Sequence, residues 1–176
     1  MSNMLRQGYI HLYTGDGKGK TTAALGLAFR ASGRALKTYI AQFMKGQSYG
    51  ELKAIKENPY ITVVQFGQDT FVHIDKAVQE DIALAEQGLL SAEQAMLSNN
   101  YDIIILDEIN VAIYFKLLTI ERIIEFIQLK PQHIELVLTG RKASPQLIEL
   151  ADLVTEMKEI KHYYQKGVPA RDGIER

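Results

Sequence analysis

The chain has 176 residues, 47% of them apolar, and a formal net charge of -1, which suits one compact domain with a sizeable core and no bias towards disorder. A charge so near zero gives no global pull towards nucleic acid or an anionic membrane, and there is no local basic stripe beyond the short tail. Cysteine is absent, which excludes a disulfide framework, a thiolate nucleophile and a Cys-ligated zinc or iron–sulfur site.

The start, MSNMLRQGYIHLYTG, lacks the long apolar run of a signal peptide. No uninterrupted apolar stretch approaches the ~20 residues of a membrane span, so a soluble, cytoplasmic protein is expected.

In chain order, short runs rich in β-branched and aromatic residues read as buried strands. They are Tyr9 to Tyr13, Thr38 to Phe43, Ile61 to Phe66, Ile103 to Leu106, Ile134 to Thr139 and Leu153 to Met157. Near-continuous apolar strands indicate a parallel sheet covered on both faces, and most of the intervening segments are long enough for crossover helices. The first helix is expected from Lys20 towards Ser32, with Gly33 as a left-handed stop. A short one spans about Tyr49 to Glu57, and a long one runs from near Asp75, its N-cap, to about Ser98. Thr119 caps a helix over Ile120 to Leu129, and Ser144 followed by Pro145 is an N-cap with proline at the first helical position. This alternation predicts an α/β fold, a three-layer sandwich around an open, mostly parallel sheet. No repeat, linker or second domain interrupts residues 1–176, and 158–176 form a polar C-terminal tail that composition alone would leave as a frayed end.

The segment Thr14-Gly15-Asp16-Gly17-Lys18-Gly19-Lys20-Thr21-Thr22 sits between a predicted strand and a predicted helix, the context a phosphate loop requires. Gly15, Gly17 and Gly19 let successive backbone N–H groups face phosphate oxygens, and the helix N-terminus adds partial positive charge. Lys20 is placed to reach the terminal phosphates and Thr21 to bind magnesium. An ordinary glycine-rich turn is the competing reading; Gly-Lys-Thr in this context outweighs it. The Gly-x4-Gly-Lys-Thr pattern is broken at its first glycine, where this chain has Thr14.

A buried strand ending in Asp107 and Glu108 delivers carboxylates to the edge of an α/β sheet where ligands bind. An acid there contacts magnesium directly or through water; two solvated acids at a strand end are the alternative. Up to this point ATPase, kinase and transferase all remain open, since Glu108 would equally suit a water-orienting role.

Three stretches together resemble the P-loop type of ATP:corrinoid adenosyltransferase, also called cob(I)alamin adenosyltransferase, within the RecA-like P-loop NTPase fold. They are TGDGKGKTTAALG at Thr14 to Gly26, ILDEIN at Ile105 to Asn110 and LTGR at Leu138 to Arg141. AQFMKG, Ala41 to Gly46, and the run from Glu149 to Glu175 are similar to the family in order and spacing. The resemblance implies that cobalt in its +1 state attacks the 5′ carbon of ATP and that triphosphate leaves as a unit. It further implies an ATP held reversed relative to ordinary P-loop enzymes, a reduced flavoprotein as electron donor, and a homodimer.

Such a step needs alignment and neutralisation of the departing charge, with no side-chain base. Lys20, the loop N–H groups from Gly15 through Thr22, Asp16 within that loop, and magnesium on Thr21 with Asp107 or Glu108 are the expected providers. Lys18 and Arg141 add positive charge. Gln42 and Lys45 follow a strand towards the ligand edge, where they contact ATP or corrinoid or merely lie nearby. The loop Gly67 to His73 is matched to the corrinoid side; Phe71 is the candidate ring that displaces the lower axial base, with a core position as its alternative. His73 and His162 are not expected to ligate cobalt. Tyr163, Tyr164 and Arg171 would fold over the nucleotide. The competing classes are a P-loop ATPase or kinase and a nucleotide-dependent corrinoid-binding module; the cysteine-rich zinc element of thymidine kinases is missing.

Overall fold

The computed structural model describes residues 5–47, 50–68 and 79–175. Six strands form one sheet: β1 (Ile10–Thr14), β2 (Thr38–Phe43), β3 (Ile61–Phe66), β4 (Ile103–Asp107), β5 (Glu135–Thr139) and β6 (Leu153–Glu156), in the order β3-β2-β4-β5-β1-β6. Every pairing is parallel, so each return path crosses a face of the sheet. The helices are α1 (Lys20–Ser32), α2 (Gly50–Ile55), α3 (Gln79–Leu97), α4 (Ile109–Tyr114), α5 (Ile120–Gln128) and α6 (Pro145–Leu150).

The period-2 alternation of the strands sorts the core into two halves. One face carries Ile40, Ile61, Ile103, Ile105 and Val137 and meets Ala24, Ala28 and Ala31 of α1. Its alanines let that helix lie close across β4 and β5. The other face carries Tyr39, Phe43, Phe66, Ile104, Leu106, Leu136 and Leu138 and meets α3, α5 and α6 through residues such as Leu89, Met96, Phe126 and Leu147. β2 and β4 are buried along their whole length.

Several sequence expectations meet their structure here. Thr119 accepts a hydrogen bond from the Arg122 N–H, and Ser144 from the Leu147 N–H with Pro145 opening the helix, so both are N-caps. Gly33 is not the expected left-handed stop: its φ is -64°, and the left-handed residue is Ala35 at φ 58°. Helix α4 was not foreseen, because INVAIY is short and shows no polar face at helical spacing, and its N-cap, Glu108, makes no side-chain cap bond. β6 was expected to be buried, yet all four of its residues are exposed, because it is the sheet's outer strand beyond β1. The proposed start of the long helix at Asp75 lies outside the described residues. Among the described residues no helix is long and apolar enough to cross a membrane.

Gly88 shows how tightly α3 sits. A Cβ there would stand 2.8 Å from Phe66 Cγ and 3.0 Å from Phe43 Cε1, closer than packed rings can yield. Gly88→Val should therefore lower unfolding free energy by about 1–3 kcal/mol, read as an earlier urea midpoint with unchanged slope.

Candidate active site

The C-terminal ends of β1, β2, β4 and β5 share one edge, and a cleft of about 740 Å³ opens there, lined by the loop from Gly17 to Thr22 together with Lys45, Glu108 and Arg141. α2 contributes Gly50, Glu51 and Ala54 to one side, and the tail contributes His162 and Gly173 to Glu175.

The loop has the strand-to-helix setting that the sequence indicated. Gly15 (φ 92°) and Gly19 (φ 119°) occupy backbone conformations that side chains disfavour. Thr14 does not: it is the last residue of β1 and is absent from the positive-φ residues. It is nearly buried, and its hydroxyl accepts from the Ala143 N–H at 3.4 Å, which ties the loop's start to the segment after β5. A threonine is accommodated where the usual pattern has glycine, because the backbone there is not left-handed.

Lys20 is buried and folds back over its own loop, donating to the carbonyls of Gly15 and Gly17, each at 2.7 Å. Burial lowers its pKa below the ordinary lysine value.

Asp107, only 1% exposed, accepts from four side chains. Thr21 Oγ1 and Thr139 Oγ1 donate to Oδ1 at 2.9 and 2.7 Å, while Lys45 Nζ and Gln42 Nε2 donate to Oδ2 at 2.8 and 3.3 Å. Burial opposes the charge on Lys45, but the neighbouring Asp107 carboxylate outweighs it and holds that ammonium's pKa above the ordinary value. Glu108 takes a left-handed backbone (φ 64°), and its N–H donates to Thr139 Oγ1 at 2.9 Å. Burial, reinforced by the Asp107 charge, raises its carboxyl pKa. Such a strained backbone next to a ligand edge is a feature of functional sites. Gly140 (φ 130°) carries the chain towards Arg141, and the buried Asn110 side chain donates to the Gly140 carbonyl at 3.0 Å.

Thus Lys18, Lys20, Thr21, Thr22, Lys45, Glu108 and Arg141 all line the cleft, with Asp107 joined to Thr21. Gln42 differs: it is fully buried, bonded to Asp107, and not among the residues that line the cleft. Phe71, like the rest of residues 69–78, lies outside the described residues.

Two features were missed by reading the sequence. One is Thr139, which bridges Asp107 and the Glu108 amide; its alternation with Val137 put it on the α1 face and was the available signal. The other is how the tail is held. The Met157 carbonyl accepts from the Gly17 N–H at 2.6 Å, and a Cβ on Gly15 or Gly17 would fall 2.5 or 2.6 Å from that oxygen. These glycines therefore admit the chain after β6 as well as shaping the loop. Farther on, a 3-10 turn (Tyr163–Lys166) capped by His162 leads back to the loop. There Lys18 Nζ meets Glu175 Oε1 at 2.7 Å, Tyr163 Oη at 3.2 Å and the Ile174 carbonyl at 3.0 Å. Tyr163 also donates to Glu175, and Arg171 pairs with that carboxylate at 3.1 Å beneath the Tyr163 ring.

With the cleft defined, relatives supply its family. A family model described as ATP:corrinoid adenosyltransferase BtuR/CobO/CobP matches residues 6–176. The chain belongs to the ATP:corrinoid adenosyltransferase family. The Corrinoid adenosyltransferase of Pseudomonas aeruginosa is 35% identical over 170 residues, which is 96% of this chain and 84% of the relative. One from a Sinorhizobium species is 36% identical over 174 residues, covering 96% and 80%, and that of Escherichia coli K12 is 31% identical over 170, covering 96% and 86%. Adenosyltransferases of this family catalyse the ATP-dependent adenosylation of corrinoids, so the enzyme is a transferase.

The tail docking has a direct test. Lys18→Met should loosen the tail beyond Met157 and speed trypsin cleavage at Lys158, Lys161 and Lys166 by roughly two- to fivefold, the scale of an exposed ion pair, with the sheet intact. In the unaltered chain, Arg171, Lys18 and Tyr163 hold the Glu175 carboxyl far below its ordinary 4.5. A depressed acid contributes docking above its unfolded pKa and loses it only as pH falls through the folded one. Tail protection, read by pulsed proteolysis with an acid-active protease, should therefore persist through pH 4.5 and fail only in stronger acid.

Proposed function

We propose that this chain moves the 5′-deoxyadenosyl group of ATP to the +1 cobalt of a corrinoid, releasing triphosphate, with the residues of this cleft in the following roles. The observation that supports it best is the convergence of four cations, Lys18, Lys20, Lys45 and Arg141, on the phosphate loop at one cleft. A triphosphate leaving as a unit carries a dense negative charge, and cations fixed in advance lower the barrier to its departure.

Lys20 exchanges the carbonyls of Gly15 and Gly17 for phosphate oxygens. Its lowered pKa reflects a poorly hydrated ammonium, and such a cation gains most from an anionic partner. The N–H groups from Gly15 to Thr22, with Asp16 and Lys18 among them, line the polyphosphate. Glu108 and Arg141 close the far side. ATP lies reversed relative to ordinary P-loop enzymes, with its ribose methylene presented to the cobalt. Phe71 is the ring assigned to the corrinoid's lower face.

Magnesium fits the donors present. Thr21 Oγ1 and Asp107 Oδ1 are hard oxygens 2.9 Å apart at the loop's end, and no cluster of three or more His, Cys, Asp or Glu exists among the described residues. An ion that keeps water and takes phosphate oxygens needs only one or two protein ligands. Thr21 and Asp107 would hold it, with Glu108 beside them, and when bound it would neutralise charge on the leaving triphosphate. The working unit is a homodimer of single-domain chains, and a reduced flavoprotein supplies the electron.

Incubation with magnesium-ATP and chemically reduced corrinoid should give a cobalt–carbon bond and inorganic triphosphate in equal amounts. Orthophosphate without adenosylated product would overturn the reading. Lys20→Ala should lower kcat by roughly 100- to 1000-fold, the scale for removing one preorganised donor to developing charge. Phe71→Ala should slow reactions started from cobalt(II) while sparing those started from cobalt(I).

A further inference from the structure

Strand parity places Gln65 of β3, Gln42 of β2, Asp107 of β4 and Thr139 of β5 on the α1 face at neighbouring positions. Gln42 is the register partner of Gln65 on one side and of Asp107 on the other. The side chains are linked in one direction. Gln65 Nε2 donates to Gln42 Oε1 at 3.1 Å and to the Gln47 carbonyl at 3.1 Å, and Gln42 Nε2 donates to Asp107 Oδ2 at 3.3 Å.

A primary amide has a donor end and an acceptor end. Gln42 is fully buried, so water cannot replace a missing partner, and its orientation follows from which neighbour claims its oxygen. With the amide reversed, its carbonyl would face Asp107 Oδ2, acceptor against acceptor in a low-dielectric setting, which is costly. The Asp107 carboxylate would then lose one of its four donors and could rotate about the remaining three.

We propose that Gln65 is a positioning residue for the adenosyl transfer: by donating to Gln42 Oε1 it turns the Gln42 amide onto Asp107 Oδ2 and so fixes the carboxylate, with Thr21, at the magnesium–triphosphate end of the cleft. The inference rests on the assignment of Asp107 to the metal side. Gln65 is not among the residues that line the cleft, and its bond towards Asp107 runs through Gln42.

Reversing the polarity of the link separates this role from simple packing. Gln65→Met removes the donor; Gln65→Glu replaces it with an acceptor that draws the Gln42 N–H away from Asp107. ATP affinity of the full chain is measured by calorimetry in magnesium and again in EDTA, with Asp107→Asn alongside. We expect Gln65→Met to weaken ATP binding in magnesium by about three- to tenfold, the scale of one buried hydrogen bond, and Gln65→Glu to weaken it further. Binding in EDTA should change by less than about twofold. The KM for magnesium-ATP should rise in the same order, with that for corrinoid unchanged.

Equal losses in magnesium and in EDTA would overturn the inference, because Gln65 would then act on the fold or the nucleotide directly. So would Gln65→Glu behaving no worse than Gln65→Met, or either variant matching the unaltered enzyme. If Asp107→Asn keeps the full magnesium-dependent gain, the assignment of Asp107 fails and the inference fails with it. If Asp107→Asn loses that gain while the Gln65 variants keep it, only the role of Gln65 falls.

Discussion

The Asp107 carboxylate is where this enzyme's architecture is tied together. Its donors come from α1, β2, the segment after β2, and β5. A buried carboxylate without partners would be strongly unfavourable; with each oxygen engaged twice it becomes a joint between elements. The glycine-rich loop reaches the sheet's centre through Thr21, and the strand that leads to Arg141 reaches it through Thr139. Because all of these attachments lie on the α1 face at the strands' C-terminal ends, the cleft can form only where the sheet and its first helix meet.

Much of this was legible in the primary structure for physical reasons that can be named. Continuous apolar runs such as Thr38 to Phe43 announced strands covered on both sides, and β2 is buried throughout. The glycine-rich segment before Lys20 could be placed because strand, loop and helix follow in the required order. Caps at Thr119 and Ser144 were readable because a hydroxyl that satisfies an orphan N–H is a local device. The failures were equally physical. Ala35 takes the left-handed turn that glycine was expected to supply, in a helix end closed by the Leu36 N–H bond to the Ala31 carbonyl. Exposure of β6 depends on its place at the edge, which no property of Leu-Val-Thr-Glu reveals. The buried role of Gln42 depends on its neighbours in β3 and β4, and these are chosen by strand order.

The glycines of the phosphate loop answer to two demands. Gly15 and Gly19 adopt backbone conformations that a polyphosphate cradle uses, while Gly15 and Gly17 also leave room for the Met157 carbonyl. An added methyl at either of those two positions would collide with backbone, which cannot swing aside as a side chain can. The sequence pattern alone suggests only the first demand.

The contact between Lys18 and Glu175 joins residues 157 apart in the chain. During synthesis the loop is made before the wall that borders it, which follows β6 in the chain. A growing polypeptide can thus build β1, α1 and most of the sheet well before the cleft acquires that side. Because the contact is so non-local, closing it has to wait until the strands between its two residues have been made.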